Sequence, residues 1–189
     1  MDKVTVIGGS GFLGSHVADE LSMRGYSVTV FDRTSSPWVR DDQRMVVGDL
    51  LDRSALVDVC KGARYVYHFA GVADIGEAKA NPYQTIKVNV LGTTAALEAA
   101  HHNQVERFVY ASTMYVYSVV GSFYRASKQA AETIIETYSE SFEVDYTLLR
   151  YGSLYGPRAQ DWNGLRGYVR QVMQEGRLDY PGSGDERRE

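Results

Sequence analysis

Short apolar runs alternate along the chain with stretches whose apolar residues recur at helical spacing, the pattern of stacked strand–helix–strand units and a mainly parallel sheet. The pattern predicts strands at 3–7, 27–31, 45–47, 65–69, 106–111 and 144–149, and helices at 12–24, 53–60, 82–102, 122–140 and 163–175. Asp52 and the pair Asn81-Pro82 have the chemistry of helix starts, a side-chain acceptor for free amides and a proline with a preset φ. After about residue 150 the rhythm breaks. Gly152, Gly156, Pro157, Gly164 and Gly167 interrupt it, and Pro181-Gly182-Ser183-Gly184 leads into a charged tail. The expected fold is α/β, a doubly wound parallel sheet flanked by helices, with residues 1–155 as the main domain and 156–189 as the beginning of a smaller lobe.

The sharpest local feature is Val4-Thr5-Val6-Ile7 running into Gly8-Gly9-Ser10-Gly11-Phe12-Leu13-Gly14. An apolar strand feeds a glycine turn that opens directly into a helix. Gly8 suits a turn that most side chains cannot make, Gly11 the close approach of a pyrophosphate, and Gly14 the packing of helix on strand. The helix start turns free amides and a positive dipole end toward an anion. A second apolar strand ends at Asp32, roughly 20 residues on, where a carboxylate can accept both hydroxyls of an adenosine ribose. Together these predict a dinucleotide site; a purely structural turn is the competing reading. Asp32 repels a 2′-phosphate and so favours NAD over NADP, while the adjacent Arg33 is able to accept one.

Farther on, Arg107-Phe108-Val109-Tyr110-Ala111-Ser112-Thr113 ends a strand in two hydroxyls, and the next helix carries Tyr124 and Lys128 four positions apart on one face. In an open parallel sheet, ligands lie beyond the carboxyl ends of the strands, which gathers Gly8, Asp32, Asp49, Ala70 and Thr113 at one edge. The chemistry that suits this set is removal of an alcohol proton while a hydride leaves the same carbon. A phenol titrating near 10 needs about 3 units of depression to act as a base at neutral pH, roughly 4 kcal/mol. One positive charge about 5 Å away at an effective dielectric near 20 supplies roughly 3 kcal/mol. Lys128 with a cationic nicotinamide is therefore expected to activate Tyr124, with Thr113 holding the reacting oxygen and Lys128 also gripping the nicotinamide ribose. The bland alternative is a surface tyrosine beside a solvated lysine.

Bulk composition narrows the function classes. A net charge of −4 and no Lys/Arg cluster argue against nucleic acid, and no run approaches the roughly 20 apolar residues that span a bilayer. A cytoplasmic protein is expected. Cys60 is the single cysteine, assigned to helix packing, and no metal site is expected. His101 and His102 are read as caps of a helix C-terminus, His68 as packing, and His16 as helix surface.

With these motifs in place the chain resembles the extended short-chain dehydrogenase/reductase family, in its NAD-dependent sugar epimerase/dehydratase branch, over nearly its whole length. Gly8, Gly11 and Gly14 match the cofactor turn, Asp32 the ribose carboxylate, and Asp49-Leu50 the adenine contact. His68-Phe69-Ala70-Gly71 matches the cofactor lining, and Asn89-Val90-Leu91-Gly92-Thr93 a helix with a buried asparagine. Thr113, Tyr124 and Lys128 match the catalytic set, and Leu149-Arg150-Tyr151 through Tyr155-Gly156-Pro157-Arg158 the substrate-side turn. The resemblance implies a Rossmann-like NAD-binding domain at 1–155 and a partial substrate-binding lobe at 156–189. It implies cofactor contacts from Gly8, Gly11, Phe12, Leu13, Gly14, Asp32, Arg33, Asp49, Leu50, Phe69, Ala70, Gly71, Asn89, Lys128 and Tyr151. It also implies a nucleotide-sugar substrate, and a homodimer through helices 82–102 and 122–140.

Departures from the family pattern shape the expected activity. Met114 and Tyr115 stand where dehydratases and decarboxylases carry acids after the threonine, which disfavours dehydration. The Tyr117–Tyr124 loop is shorter than usual, and Ser153 replaces an asparagine common in epimerases. Elements that continue in the family after Gly182–Glu189 are not in this chain, so a cofactor domain that binds NAD but turns over poorly is expected. A non-catalytic NAD-binding module and a reductase of a non-nucleotide carbonyl are the alternatives.

Overall fold

The computed structural model describes residues 1–180 and 182–185; Pro181 and the charged tail at 186–189 lie outside the described residues. Six strands form one sheet: β1 (Lys3–Ile7), β2 (Ser27–Asp32), β3 (Arg44–Val47), β4 (Tyr65–His68), β5 (Arg107–Thr113) and β6 (Tyr146–Tyr151). Every neighbouring pair is parallel, in the order β3-β2-β1-β4-β5-β6. Parallel strands need crossovers, and helices supply them on both faces.

Alternation along β1 explains the two layers. Val4 and Val6 pack with Val28 and Val30 of β2 and with Ala18 and Leu21 of α1 (Phe12–Met23). Ile7 faces the other way, into a larger core with α2 (Arg53–Cys60), α5 (Gly92–His102) and α6 (Ser122–Phe142). Thr5 shares that second face, and its hydroxyl donates to the Val59 carbonyl at 2.8 Å, so a polar side chain is buried without an unsatisfied group. This is the Rossmann-like, doubly wound arrangement that the strand–helix alternation predicts.

The region predicted as one helix over 82–102 is built in pieces. A helix that the periodicity did not predict, α3 (Ile75–Ala80), comes first, its amides capped by Asp74, which accepts from Glu77 N at 2.6 Å. Asn81 leaves helical geometry, and Pro82 restarts the chain as α4 (Pro82–Ile86). A π-helical turn at Lys87–Leu91 then joins α4 to α5. Asp52 caps α2 as expected, accepting from Ala55 N at 3.1 Å. The final described helix, α7 (Gly164–Glu175), buries none of its residues and leaves Leu165, Val169 and Val172 exposed. Among the described residues no helix is long and apolar enough to cross a membrane.

Candidate functional site

At the carboxyl end of β1 the chain turns at Gly8 with φ +83°, and a Cβ there would overlap the Ala70 amide and lie 2.7 Å from Ala70 Cα. The turn is thus pressed onto the backbone that follows β4. A Cβ at Gly14 would overlap the Gly8 carbonyl and come within 2.8 Å of Gly9 Cα, so α1 starts in direct contact with the turn. Gly11 is the N-cap and brings no capping side chain, and no acid sits in the first turn. The amides at Phe12, Leu13 and Gly14 therefore begin a helix with no side-chain cap and no acid of its own in the first turn.

Asp32 ties the end of β2 to this turn. One carboxylate oxygen accepts from Ser10 N at 3.0 Å, and the other from Thr34 N at 3.3 Å. Arg33 beside it is exposed. Asp49 accepts from Leu51 N at 2.9 Å, whereas Leu50 is a core residue packed against Gly92. Phe69 stacks on Tyr67. The Asn89 amide is fully engaged inside the protein: its oxygen accepts from Val72 N at 2.7 Å, and its nitrogen donates to Val72 O and to Ser127 Oγ at 3.0 and 2.9 Å. It joins the β4–α3 connection to α6.

The second group gathers where β5 meets α6. Thr113 is buried at the end of β5, in register with Tyr151 of β6. Its side chain accepts from Tyr115 N at 3.2 Å and lies close enough to the Tyr124 phenol to draw it downward. Lys128 is 5% exposed; its ammonium donates to the Ala111 carbonyl at 2.8 Å and sits 4.6 Å from the Tyr110 ring centroid. Gly71 brings the backbone after β4 up to Asn89 and Lys128. Thr113, Tyr124 and Lys128 therefore do converge, at the same strand ends as the glycine turn.

Electrostatics describe the site without its cofactor. Burial, the largest influence, pushes the Tyr124 phenol up rather than down, against the opposing effect of Thr113. Lys128 does not offset this, because its ammonium lies 6.0 Å from the Tyr124 ring centroid and its hydrogen bond goes to Ala111. Burial also lowers Lys128 to about 8, opposed by the negative charge of Glu132. His68 is held neutral, lowered to about 3 by burial and then by Lys128; it bonds Thr93 Oγ1 at 3.1 Å and packs on Tyr110, in agreement with a packing role.

A feature not anticipated lies behind Lys128. Glu132, 7% exposed, accepts from Ser112 Oγ of β5 and takes a forked pair from Arg150 of β6, Nε at 3.0 Å and Nη2 at 2.8 Å. Arg150 also donates to the Tyr117 hydroxyl and lies over that ring. The Lys128-x-x-x-Glu132 spacing on one helical face was the available signal. His16, read as helix surface, instead bonds the Pro157 carbonyl at 2.9 Å. Arg158 pairs with Asp19 at 2.8 Å and lies over Trp38, so the segment after β6 is strapped across α1. His101 and His102 sit in the last turn of α5 as expected. Cys60 is buried in helix packing, its thiol pushed up to about 12.

Comparison with known proteins gives a consistent picture. A family model described as "NAD dependent epimerase/dehydratase family" matches residues 4–189. Over 187 residues the chain is 27% identical to a UDP-glucose 4-epimerase of Rhizobium leguminosarum bv. trifolii, covering 86% of this chain and 56% of that protein. It is 30% identical over 213 residues to a UDP-glucose 4-epimerase of Erwinia amylovora, covering 94% and 63%. Among solved structures, the UDP-glucose 4-epimerase of Thermotoga maritima with UDP-glucose superposes with a TM-score of 0.90 at 25% identity, covering 98% of this chain and 68% of that one. The Thermus thermophilus UDP-glucose 4-epimerase complex with NAD gives 0.82 at 29% identity, covering 91% and 63%. The chain spans about three-fifths of the length of the curated relatives it matches.

Proposed function

The chain belongs to the NAD dependent epimerase/dehydratase family, and on that premise we propose that it is an NAD-dependent sugar-nucleotide epimerase or a closely related dehydrogenase/reductase. Residues 1–155 are the NAD-binding domain and 156–189 the start of the substrate-binding lobe, whose exposed Leu165, Val169 and Val172 on α7 are suited to further packing. NAD fits the residues present: the turn at Gly8 and Gly11 is stripped of side chains, and the α1 amides that follow have no side-chain cap and no acid in the first turn.

Gly8, Gly11, Phe12, Leu13 and Gly14 hold the pyrophosphate. Asp32, with Arg33 beside it, takes the adenosine ribose, and Asp49 and Leu50 the adenine. Phe69, Ala70, Gly71, Lys128 and Tyr151 border the nicotinamide end, with Asn89 shaping that border from inside. The Asp32 carboxylate favours NAD over NADP. When bound, NAD supplies the hydride acceptor.

Tyr124 takes the proton of the substrate hydroxyl, Thr113 holds the reacting oxygen and hands over its proton, and Lys128 stabilises the charge that develops on the phenol. In the protein alone burial keeps that phenol protonated, so its activation belongs to the loaded site. Met114 and Tyr115, in place of acids, favour epimerisation or simple oxidoreduction over dehydration. The relatives named for UDP-glucose make a nucleotide sugar the substrate class. A homodimer through α4–α5 and α6 is in keeping with the exposed Tyr83, Leu91 and Phe142, and a cytoplasmic location with the single buried cysteine.

The observation that carries this reading is the convergence of Thr113, Tyr124 and Lys128 with the glycine turn at one set of strand ends. Tyr124→Phe is the test. NAD binding, followed by calorimetric titration, stays within about twofold, while turnover of UDP-glucose falls by at least about 10²-fold. Unchanged turnover rejects the assignment.

A further inference from the structure

Behind the proposed active site a carboxylate paired with a guanidinium stands one helical turn from a buried ammonium. Glu132 lies one helical turn after Lys128 on the same face of α6. Its two oxygens take three hydrogen bonds, one from Ser112 of β5 and a fork from Arg150 of β6. Ser112 directly follows Ala111, whose carbonyl receives the Lys128 ammonium. Lys128 and Glu132 are thus fastened to consecutive residues of one strand, and Arg150 pins the carboxylate from the next strand over.

We propose that Glu132 is the positioning residue for Lys128: locked by Ser112 and Arg150, its carboxylate is the counter-charge that keeps the buried ammonium protonated and seated on the Ala111 carbonyl. The inference rests on the reading of Lys128 as a catalytic group.

The argument is one of charge and chemistry. An ammonium with almost no solvent contact loses its hydration, and its remaining neighbours give little back. From β4 it faces neutral His68, from β5 the Tyr110 ring, and from its own helix the Tyr124 ring, a set without a second carboxylate. Glu132 also faces Arg150, a guanidinium that does not deprotonate in proteins. When the carboxylate is removed, the ammonium keeps its burial and loses the one charge that favours its protonated form, so Lys128 sheds its proton more readily. When Arg150 is removed instead, the carboxylate acts on Lys128 alone.

The two changes therefore move the lysine in opposite directions, which a merely structural role for the network does not predict. Lys128 is followed by NMR on protein labelled with 13C-lysine, reading the Cε shift against pH. In Glu132→Gln the Lys128 midpoint falls by about one unit or more. In Arg150→Met it rises or holds. A Glu132→Gln midpoint equal to that of the parent overturns the proposal, as does a fall in both variants. If Glu132→Gln does not fold, Arg150→Met decides alone, and a fall there is the overturning result. The titration needs neither NAD nor turnover. Should Tyr124→Phe retain activity while these shifts appear as described, the Glu132–Lys128 coupling stands and only the catalytic reading falls.

Discussion

The wall that begins with β1 and α1 and the wall made by β5 and α6 border the same strand ends, but they are made of different material. The first is backbone: Gly8 against Ala70, Gly14 against the Gly8 carbonyl, and an uncapped helix start. The second is side chains: Thr113, Lys128 and Glu132, each buried and each bonded to a particular neighbour, with the half-buried Tyr124 among them. Backbone positions tolerate almost no added atom, because the opposing group cannot swing aside. Side-chain positions tolerate exchange of the reacting atom so long as the volume stays. On the proposed function, binding and chemistry are therefore separable by mutation, the first coupled to folding itself and the second largely not.

The largest effect that would break this contrast is at Gly8. Gly8→Ala forces a side chain into positive φ and onto the Ala70 backbone, and is expected to lower stability by about 4 kcal/mol, from strain and overpacking together. Urea unfolding measures it, and a variant as stable as the parent would show that the backbone wall yields.

Next in size is an acid effect on the other side. The folded-state value of His68, lowered to about 3, lies well below its ordinary value near 6.5, so the unfolded chain takes up the proton first. His68 thus contributes stability above pH 6.5, and that contribution falls away as the pH drops toward 3, by roughly 3 kcal/mol at pH 4. Unfolding curves at pH 7 and 4 check it: His68→Gln should lose less stability between them than the parent, and parallel losses would remove His68 as the cause. The smallest effect sharpens the contrast most. Tyr124→Phe removes only the hydroxyl that faces Thr113 and should cost at most about 1 kcal/mol of stability, while removing turnover as described above.

Legibility in the sequence divides along the same line. All six strands and the glycine turn could be read directly, because β-branched runs and closely spaced glycines are local signals. The long helix over 82–102 could not, since its interruption comes from Asn81-Pro82 and a π-helical turn, which shift the phase of the apolar pattern without erasing it. The Asp74-to-Glu77 cap marked α3, yet a helix that short has too few turns to register as periodic. Among site residues, Thr113, Tyr124 and Lys128 stood out by spacing, whereas Glu132 gains its meaning only from Ser112 and Arg150, 20 and 18 positions away. The surroundings of the Tyr124 phenol were illegible for a related reason. Burial and the placing of the Lys128 ammonium on Ala111 are set by how β5 and α6 pack, and neither is written in the Tyr124–Lys128 spacing.

The seating of Gly8 on the Phe69–Ala70 backbone has a consequence for the order of assembly. In synthesis the glycine turn emerges before the surface that shapes it, which is made only after α1, β2, β3 and α2. The nascent turn must wait, its strand flanked on one side alone, until β4 emerges and docks. The turn is thus made well before it acquires its final shape, which leaves the apolar strand Val4–Ile7 for a chaperone to guard in the interval.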